Sequence, residues 1–245
     1  MEHTDIICGR NAVNEALRGD FSIDCLYVAA GERHGSLGGI IAKYRAAGIP
    51  VKQVDKAKLD AMCGETAHQG VAAAIAAVPY CDVEDILREA EDRGEPPFLV
   101  MCDGIEDPHN LGAIIRTCEA AGVHGVILPK RRAAGATATV AKTSAGALAL
   151  MKVAKVSNLA DTIARLKKRG VWIYGADVGG KPYRDMDYSG GACLVIGSEG
   201  RGLARLTAEL CDQLIALPMR GRVNSLNASV ACGVLLYEIA HQRSG

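Results

Sequence analysis

Short apolar runs alternate with amphipathic segments along most of the chain. The runs have the length of strands, whereas the segments between them repeat their apolar positions every third or fourth residue, as helices do. In the first part of the chain this pattern predicts helices at 9–18, 36–47 and 56–63, and strands at 25–30, 51–54 and 71–78. Pro79 ends the last of these strands, because proline cannot donate to a sheet.

The same alternation resumes after Pro97. It predicts strands at 98–103, 125–128, 153–156, 171–176, 193–196 and 214–217, and helices at 111–121, 139–150, 159–169, 204–210 and 226–243. Runs such as 193–196 lack polar alternation, which is typical of strands buried on both faces. We therefore predict an α/β fold with largely parallel sheets.

Residues 79–97 differ from both flanking regions. They are rich in Asp and Glu, carry a weak apolar stripe at Ile86, Leu87 and Ala90, and end in Gly94 and the pair Pro96-Pro97. This composition predicts a short amphipathic helix with a solvated acidic face, followed by a linker. The predicted domains are 1–78, an acidic linker at 79–97, and 98–245.

Composition and charge narrow the classes of protein. The chain has 245 residues, is 49% hydrophobic and has a formal net charge of zero. Nucleic-acid binding would therefore depend on local basic patches. The polar N-terminus lacks an apolar signal core, and no apolar stretch of membrane-spanning length is free of charge or glycine breaks. We expect a soluble cytoplasmic protein.

The nine cysteines favour core packing over cross-linking. Their number is odd and no C-x-x-C spacing occurs, so the sequence indicates neither a disulfide framework nor a zinc site. Most lie in apolar surroundings, where free cysteine is a small core residue. The six histidines are scattered, and we expect no metal.

Three loops follow apolar strand-like runs and precede helix-like ones, at 104–110, 197–203 and 217–227. Ligands bind at the carboxyl ends of parallel strands, so these loops predict one composite site. No G-x-G-x-x-G follows the strand at 98–103, and no Walker loop occurs. A dinucleotide dehydrogenase or a nucleotide hydrolase is thus not favoured.

Each candidate residue has two interpretations. Glu199 orients a substrate or a neighbouring arginine, or it is an acid of a turn. Asn224, Ser225 and Asn227 bind a ligand at a helix N-terminus or simply cap that helix. Arg116 binds a phosphate or forms a structural ion pair. Gly175 with Gly179-Gly180 forms a ligand loop or a plain turn. For His109, orienting its loop is favoured over binding a ligand.

Three segments together resemble the motifs of the SPOUT class (TrmH-like) of RNA ribose 2′-O-methyltransferases. They are Asp107-Pro108-His109-Asn110-Leu111-Gly112-Ala113-Ile114-Ile115-Arg116-Thr117, Ile196-Gly197-Ser198-Glu199-Gly200-Arg201-Gly202-Leu203, and Leu217-Pro218-Met219 with Ser225-Leu226-Asn227-Ala228-Ser229-Val230-Ala231. Residues 1–78 are similar to the RNA-binding module of that class, which is related to a kink-turn-binding ribosomal protein, in Gly9-Arg10-Asn11-Ala12-Val13 and His68-Gln69-Gly70-Val71-Ala72-Ala73. The full module resembles the bacterial 23S rRNA guanosine branch more than the tRNA branch.

The resemblance implies a trefoil-knotted α/β methyltransferase domain at 98–245, a homodimer, and S-adenosylmethionine as cofactor. By position, it implies catalytic or substrate-orienting roles for Asn110, Arg116, Glu199, Ser225 and Asn227. It implies cofactor binding by Gly175, Gly197, Leu217, Met219 and Leu226. The local basic groups expected to contact RNA are Arg10, Lys130, Arg131, Arg132, Lys142, Arg201 and Arg220, each of which is otherwise a solvated cation.

Other functions remain open at this point: the same chemistry on tRNA, a non-catalytic RNA-binding or ribosome-assembly protein, or an unrelated α/β enzyme acting on a small molecule. The intact set of five motif residues argues against a non-catalytic protein. Failure to bind S-adenosylmethionine would favour the small-molecule enzyme.

Overall fold

A computed structural model describes residues 5–18, 23–31, 36–64, 67–75 and 80–243. The chain divides into two compact units. The first comprises residues 1–78 together with 136–142, and the second comprises 79–135 and 143–245. Each unit has its own sheet.

The first unit is built on a mixed four-stranded sheet. Its elements are β1 (Asp5–Cys8), α1 (Arg10–Arg18), β2 (Ile23–Ala29), α2 (Ser36–Ala46), β3 (Val51–Val54), α3 (Lys56–Cys63) and β4 (Val71–Ile75). The strand order is β1-β4-β2-β3, in which β4 is antiparallel to both neighbours and β2 is parallel to β3. The predicted elements are confirmed for the described residues, whereas β1 was not predicted. Residues 76–78 of the last predicted strand lie outside the described residues.

One cysteine pair departs from the prediction of free thiols. Cys8 at the end of β1 and Cys63 at the end of α3 form a disulfide, with their Cα atoms 6.0 Å apart. The prediction was wrong here because these positions are 55 residues apart and meet only in the folded unit. The other seven cysteines are free, and five of them are buried, as expected.

The second unit is built on a parallel six-stranded sheet, which confirms the predicted architecture. Its strand order is β10-β8-β9-β5-β6-β7. The strands are β5 (Phe98–Asp103), β6 (Gly125–Pro129), β7 (Val153–Val156), β8 (Trp172–Pro182), β9 (Ala192–Gly197) and β10 (Gln213–Ala216). The helices from residue 83 onward are α4 (Val83–Arg93), α5 (Pro108–Ala120), α6 (Ala138–Thr143), α7 (Ala147–Leu150), α8 (Leu159–Lys168), α9 (Arg205–Leu210) and α10 (Ala228–Arg243).

Helix α4 belongs to the second unit. The buried side chains of Val83, Ile86 and Leu87 pack into the core formed by β5, β6 and their neighbours. Two of its acids form ion pairs, Glu89 with Lys152 at 2.8 Å and Glu91 with Arg169 at 2.9 Å. The predicted helix is confirmed, but its charged side is partly paired rather than only solvated.

Two elements differ from those that the sequence periodicity predicts. The predicted helix at 139–150 is interrupted between α6 and α7, where Ala145 and Gly146 have φ of 50° and 88°. Strand β8 runs to Pro182, so Gly179 and Gly180 lie within a strand rather than in a turn. Within the described residues, no helix has the length and apolar character needed to cross a membrane.

Candidate active site

A pocket of about 640 Å³ opens where β9 and β10 end and α10 begins. Ligands bind at this edge of parallel sheets. Most of the residues proposed from the motifs line it: Gly197, Glu199, Arg201, Leu217, Met219, Ser225, Leu226 and Asn227. Two of the three predicted loops therefore meet at one pocket.

The segment after β9 forms a tight turn that lines one side of the pocket. The backbone N–H of Ser198 donates to Gly202 O at 3.1 Å, and the N–H of Gly202 donates to Ser198 O at 2.9 Å. A side chain on Gly197 would collide with the Gly202 carbonyl, so the two strands of the turn lie against each other only because residue 197 is glycine. The glycines thus bring backbone groups to the pocket surface.

Glu199 is the centre of a polar cluster drawn from three motifs. One carboxylate oxygen, Oε1, accepts hydrogen bonds from Asn110 Nδ2 at 3.0 Å and from Asn227 Nδ2. It also accepts from the backbone N–H of Ala228, at 3.4 Å, in the first turn of α10. A carboxylate is favoured beside a helix N-terminus, where N–H groups lack partners. Among the described residues, Oε2 has no hydrogen bond and is available to a ligand.

Asn227 also caps α10. Its Oδ1 accepts from the backbone N–H groups of Ser229 at 2.9 Å and Val230 at 3.2 Å. Both interpretations of this residue therefore hold, since the oxygen caps the helix while the amide nitrogen joins the cluster. Ser225 is exposed and lines the pocket.

Asn110 is positioned by the start of α5. Asp107 caps this helix by accepting from the backbone N–H groups of His109 at 3.1 Å and Asn110 at 3.3 Å, and Pro108 occupies the first turn. The side chain of Asn110 then faces Glu199 and Asn227. His109 is exposed, and its contact to Asp107 comes from its backbone.

Arg116 lies apart from this cluster. It is exposed on α5, six positions beyond Asn110, which places it about 240° further round the helix. Within the described residues its side chain forms neither an ion pair nor a hydrogen bond, so a structural ion pair does not explain it. Its guanidinium is available to an external anion.

Gly175 is not part of the pocket lining. It is packed in the core, where a side chain would meet the sulfur of Cys211 at 2.7 Å and Leu203 Cδ1 at 2.8 Å. Burial raises the pKa of the Cys211 thiol to about 11, so this sulfur is a packing group. The strand continues past Gly175 to Ala176, Asp177 and Val178, which do line the pocket and were not predicted.

The predicted RNA-contacting cations occupy different places. Arg201 lines the pocket, and Lys130, Arg131 and Arg132 are exposed directly after β6. Lys142 and Arg220 are also exposed. In the first unit, Arg10 is held by the second module motif, since its N–H and Nε donate to Gln69 Oε1 at 3.1 Å and Gln69 O at 3.0 Å.

The pocket suits S-adenosylmethionine in size and chemistry. Its volume lies within the roughly 300–1,000 Å³ of small-molecule sites. Leu217, Met219 and Leu226 offer an apolar surface, whereas Asp177 and Glu199 offer carboxylates to a cationic ligand. Among the described residues, no group of three or more His, Cys, Asp or Glu is arranged to hold a metal ion.

Comparison with protein families assigns both parts of the chain. The SpoU rRNA Methylase family matches residues 97–237, and the domain described as RNA 2′-O ribose methyltransferase substrate binding matches residues 6–81. The protein YacO of Bacillus subtilis, named as a TrmH-family tRNA/rRNA methyltransferase, is 46% identical over 98% of this chain and 96% of its own length.

Solved structures agree with this assignment. The SpoU methyltransferase AviRb of Streptomyces viridochromogenes, in complex with S-adenosylmethionine, is 25% identical with a TM-score of 0.69, covering 98% of this chain and 90% of that one. An S-adenosylmethionine-bound rRNA methyltransferase of Sinorhizobium meliloti is 26% identical with a TM-score of 0.64, covering 97% and 87%. A TrmH/SpoU tRNA modifying enzyme of A. aeolicus is 29% identical with a TM-score of 0.56, covering 66% and 83%. With most of its motif residues gathered at one pocket, the chain belongs to the SpoU rRNA methylase family and is an S-adenosylmethionine-dependent RNA ribose 2′-O-methyltransferase.

Proposed function

We propose that this enzyme methylates the ribose 2′-hydroxyl of a guanosine in large-subunit (23S) rRNA. The observation that carries the proposal is the junction of Asn110, Glu199 and Asn227 at the mouth of the cofactor pocket. rRNA is favoured by the substrate-binding domain at 6–81 and by the rRNA methyltransferase of Sinorhizobium meliloti, which aligns over 97% of the chain. The tRNA modifying enzyme of A. aeolicus covers only 66% of it.

The residues of the cluster position the acceptor ribose. When bound, S-adenosylmethionine supplies the activated methyl group, so the protein must hold the 2′-oxygen in line and exclude water. Positioning of this kind supplies roughly 7–11 kcal/mol of a barrier in favourable cases. Glu199 fixes the two asparagine amides, and Ser225 adds a hydroxyl at the pocket surface.

Arg116 binds the phosphate next to the target ribose. Its exposed position and lack of a partner among the described residues suit an anion that arrives with the substrate. A guanidinium offers five N–H donors and no acceptor, so this role is that of a hydrogen-bond donor.

A homodimer is supported by the outer side of α10. Val230, Val234 and Tyr237 follow one another at helical spacing and are 51%, 42% and 56% exposed. An apolar stripe of this kind on a helix indicates a surface that another chain covers. The same proposal includes the trefoil knot of the resembled class and a cytoplasmic location.

RNA contacts outside the pocket come from the basic residues. Lys130, Arg131 and Arg132 form a run of exposed cations, and Arg201, Arg220 and Lys142 are further exposed contributors. The first unit, with Arg10 ordered by Gln69, selects the RNA through its shape and its single-stranded bases.

The test is methyl transfer from labelled S-adenosylmethionine to separate pools of unmodified large-subunit rRNA and tRNA, with the modified nucleotide mapped. The proposal expects one 2′-O-methylguanosine in rRNA. Label in tRNA alone would keep the chemistry and reject the substrate. Cofactor binding without transfer to either pool would instead support an RNA-binding or assembly role.

A further inference from the structure

The carboxylate of Asp177 lies on the cofactor pocket through an irregularity of β8. Up to Gly175, each residue of β8 pairs with β9, and Tyr174 and Gly175 pair with Gln213 and Leu214 of β10. The register with β10 then jumps, so that Ile215 pairs with Lys181. Residues 176–180 are therefore extra residues of β8 without a partner in β10, which we call the bulge, and such irregularities next to active sites re-aim side chains.

The bulge is held in shape from both sides. Inside it, the backbone N–H of Gly179 donates to Asp177 Oδ1 at 2.8 Å. At its end, a side chain on Gly180 would lie 2.5 Å from the backbone nitrogen of Ile215, so only glycine lets the strand rejoin β10 there. The conformation that presents Asp177 is thus built into the sequence.

The other oxygen of Asp177 faces the glycine turn after β9. Oδ2 lies 4.0 Å from the position that a Cβ on Gly202 would occupy, and both residues line the pocket. Among the described residues, the Asp177 side chain forms no ion pair and accepts one hydrogen bond, from the backbone N–H of Gly179. A half-buried carboxylate with one oxygen unused is suited to accept from a ligand.

We infer that Asp177 binds S-adenosylmethionine by accepting a hydrogen bond from one of its donor groups. This inference rests on the proposed site and adds a residue that its motifs do not contain. The cofactor offers three kinds of donor, the adenine amino group, the ribose hydroxyls and the α-ammonium group. Asp177 holds only Gly179, whereas Glu199 is engaged through Oε1 with Asn110 and Asn227, so Asp177 is the less occupied of these two pocket carboxylates.

The experiment is calorimetric binding of two ligands to the full-length wild type and to Asp177→Asn. S-adenosylhomocysteine carries all three donor groups, whereas 5′-methylthioadenosine keeps the adenine amino group and the ribose and lacks the α-ammonium. The asparagine oxygen still accepts from Gly179, so the bulge is retained, but an amide N–H replaces the acceptor on the ligand side. Asp185→Asn, an exposed carboxylate outside the pocket lining, is the matched control.

For Asp177→Asn we expect Kd for S-adenosylhomocysteine to rise about 10- to 100-fold, as for a hydrogen bond to a charged group. An equal rise for 5′-methylthioadenosine assigns the contact to the nucleoside part of the cofactor, and a rise for S-adenosylhomocysteine alone assigns it to the ammonium. Unchanged Kd values for both ligands overturn the inference while leaving the proposed function intact. A wild type that binds neither ligand would overturn both.

Discussion

Asn227 Nδ2 donates a hydrogen bond to Asn110 Oδ1 over 2.9 Å, although 117 residues separate them in the sequence. Both amides also donate to one oxygen of Glu199. The three motifs of the chain therefore meet in a single hydrogen-bonded group at the mouth of the pocket, and each side chain limits the rotation of the others. Such networks orient substrate groups more precisely than isolated residues.

The two roles of Asn227 are separable by substitution. Serine caps a helix about as well as asparagine, but its short hydroxyl does not extend to Asn110. We expect Asn227→Ser to keep the wild-type free energy of unfolding and to lower the methylation rate about 10- to 100-fold. Asn227→Ala should show the same rate loss and also lose about 1 kcal/mol of stability. Denaturant unfolding and kcat measure these effects, and full activity in the serine variant would show that only capping matters.

Arg116→Ala should lower kcat/KM for RNA about 100-fold or more, because a charged hydrogen bond to the substrate is lost. The affinity for S-adenosylhomocysteine should remain that of the wild type, since Arg116 is outside the pocket lining. Arg165→Ala, at an exposed position of α8, is the control. Near-normal turnover of Arg116→Ala would reject its role.

Gly197→Ala should abolish cofactor binding. The added methyl group would overlap the carbonyl of Gly202, so the turn from Ser198 to Gly202 must move away from the pocket wall. Gly190→Ala provides the control, because nothing lies within 4 Å of the added atom there. Calorimetry with S-adenosylhomocysteine distinguishes the two variants, and wild-type affinity in Gly197→Ala would contradict the turn geometry.

The double substitution Lys130→Glu with Arg131→Glu should weaken RNA binding and reduce the slope of log K against log salt. Each lost phosphate contact lowers this slope by roughly 0.7 to 0.9. The control is Arg165→Glu with Lys168→Glu, which makes the same charge change on exposed positions of α8. An unchanged slope would show that the cations after β6 do not contact RNA.

Part of the stability that the protein loses on acidification should come from Glu89. Its hydrogen bonds to Lys152 and Arg93 lower the pKa of the carboxyl group from its ordinary 4.5 to about 2. A carboxyl group with a depressed pKa stabilises the fold above its ordinary pKa, and this contribution is lost as the pH falls from 4.5 to about 2. Glu89→Gln should therefore lower Tm at pH 6 and have a vanishing effect near pH 2. Glu119→Gln, at an exposed site, should show no such trend.

The sequence predicted the strands of the second unit well because their apolar runs are long and are bounded by Gly, Pro and polar residues. It also identified Asn110, Glu199 and Asn227 through their motifs, and the structure brings these residues together. The hydrogen bonds among these three residues could not be predicted from local sequence patterns, because they depend on the order of the strands in the sheet.

Other features of the fold could not be predicted from the sequence, each for a physical reason. β1 is four residues long, too short for its alternation to be distinguished, and the Cys8–Cys63 pairing depends on it. The bulge at 176–180 depends on the register with β10, so Gly179 and Gly180 resembled a turn and Asp177 gave no signal. The break between α6 and α7 falls at Ser144-Ala145-Gly146, where a single glycine inside a helical pattern does not by itself predict an interruption. Close packing of Thr143 against Gly112 accompanies it.

The most direct test of the account is the chemical position of the transferred methyl group. Large-subunit rRNA is incubated with enzyme and labelled S-adenosylmethionine, digested to nucleosides and separated. The account predicts label only in a ribose 2′-O-methylated nucleoside, and none when Glu199→Ala and Asn110→Ala are combined. Label on a base, or unchanged transfer by the double variant, would contradict the assignment of the Asn110, Glu199 and Asn227 cluster as the site of ribose methylation.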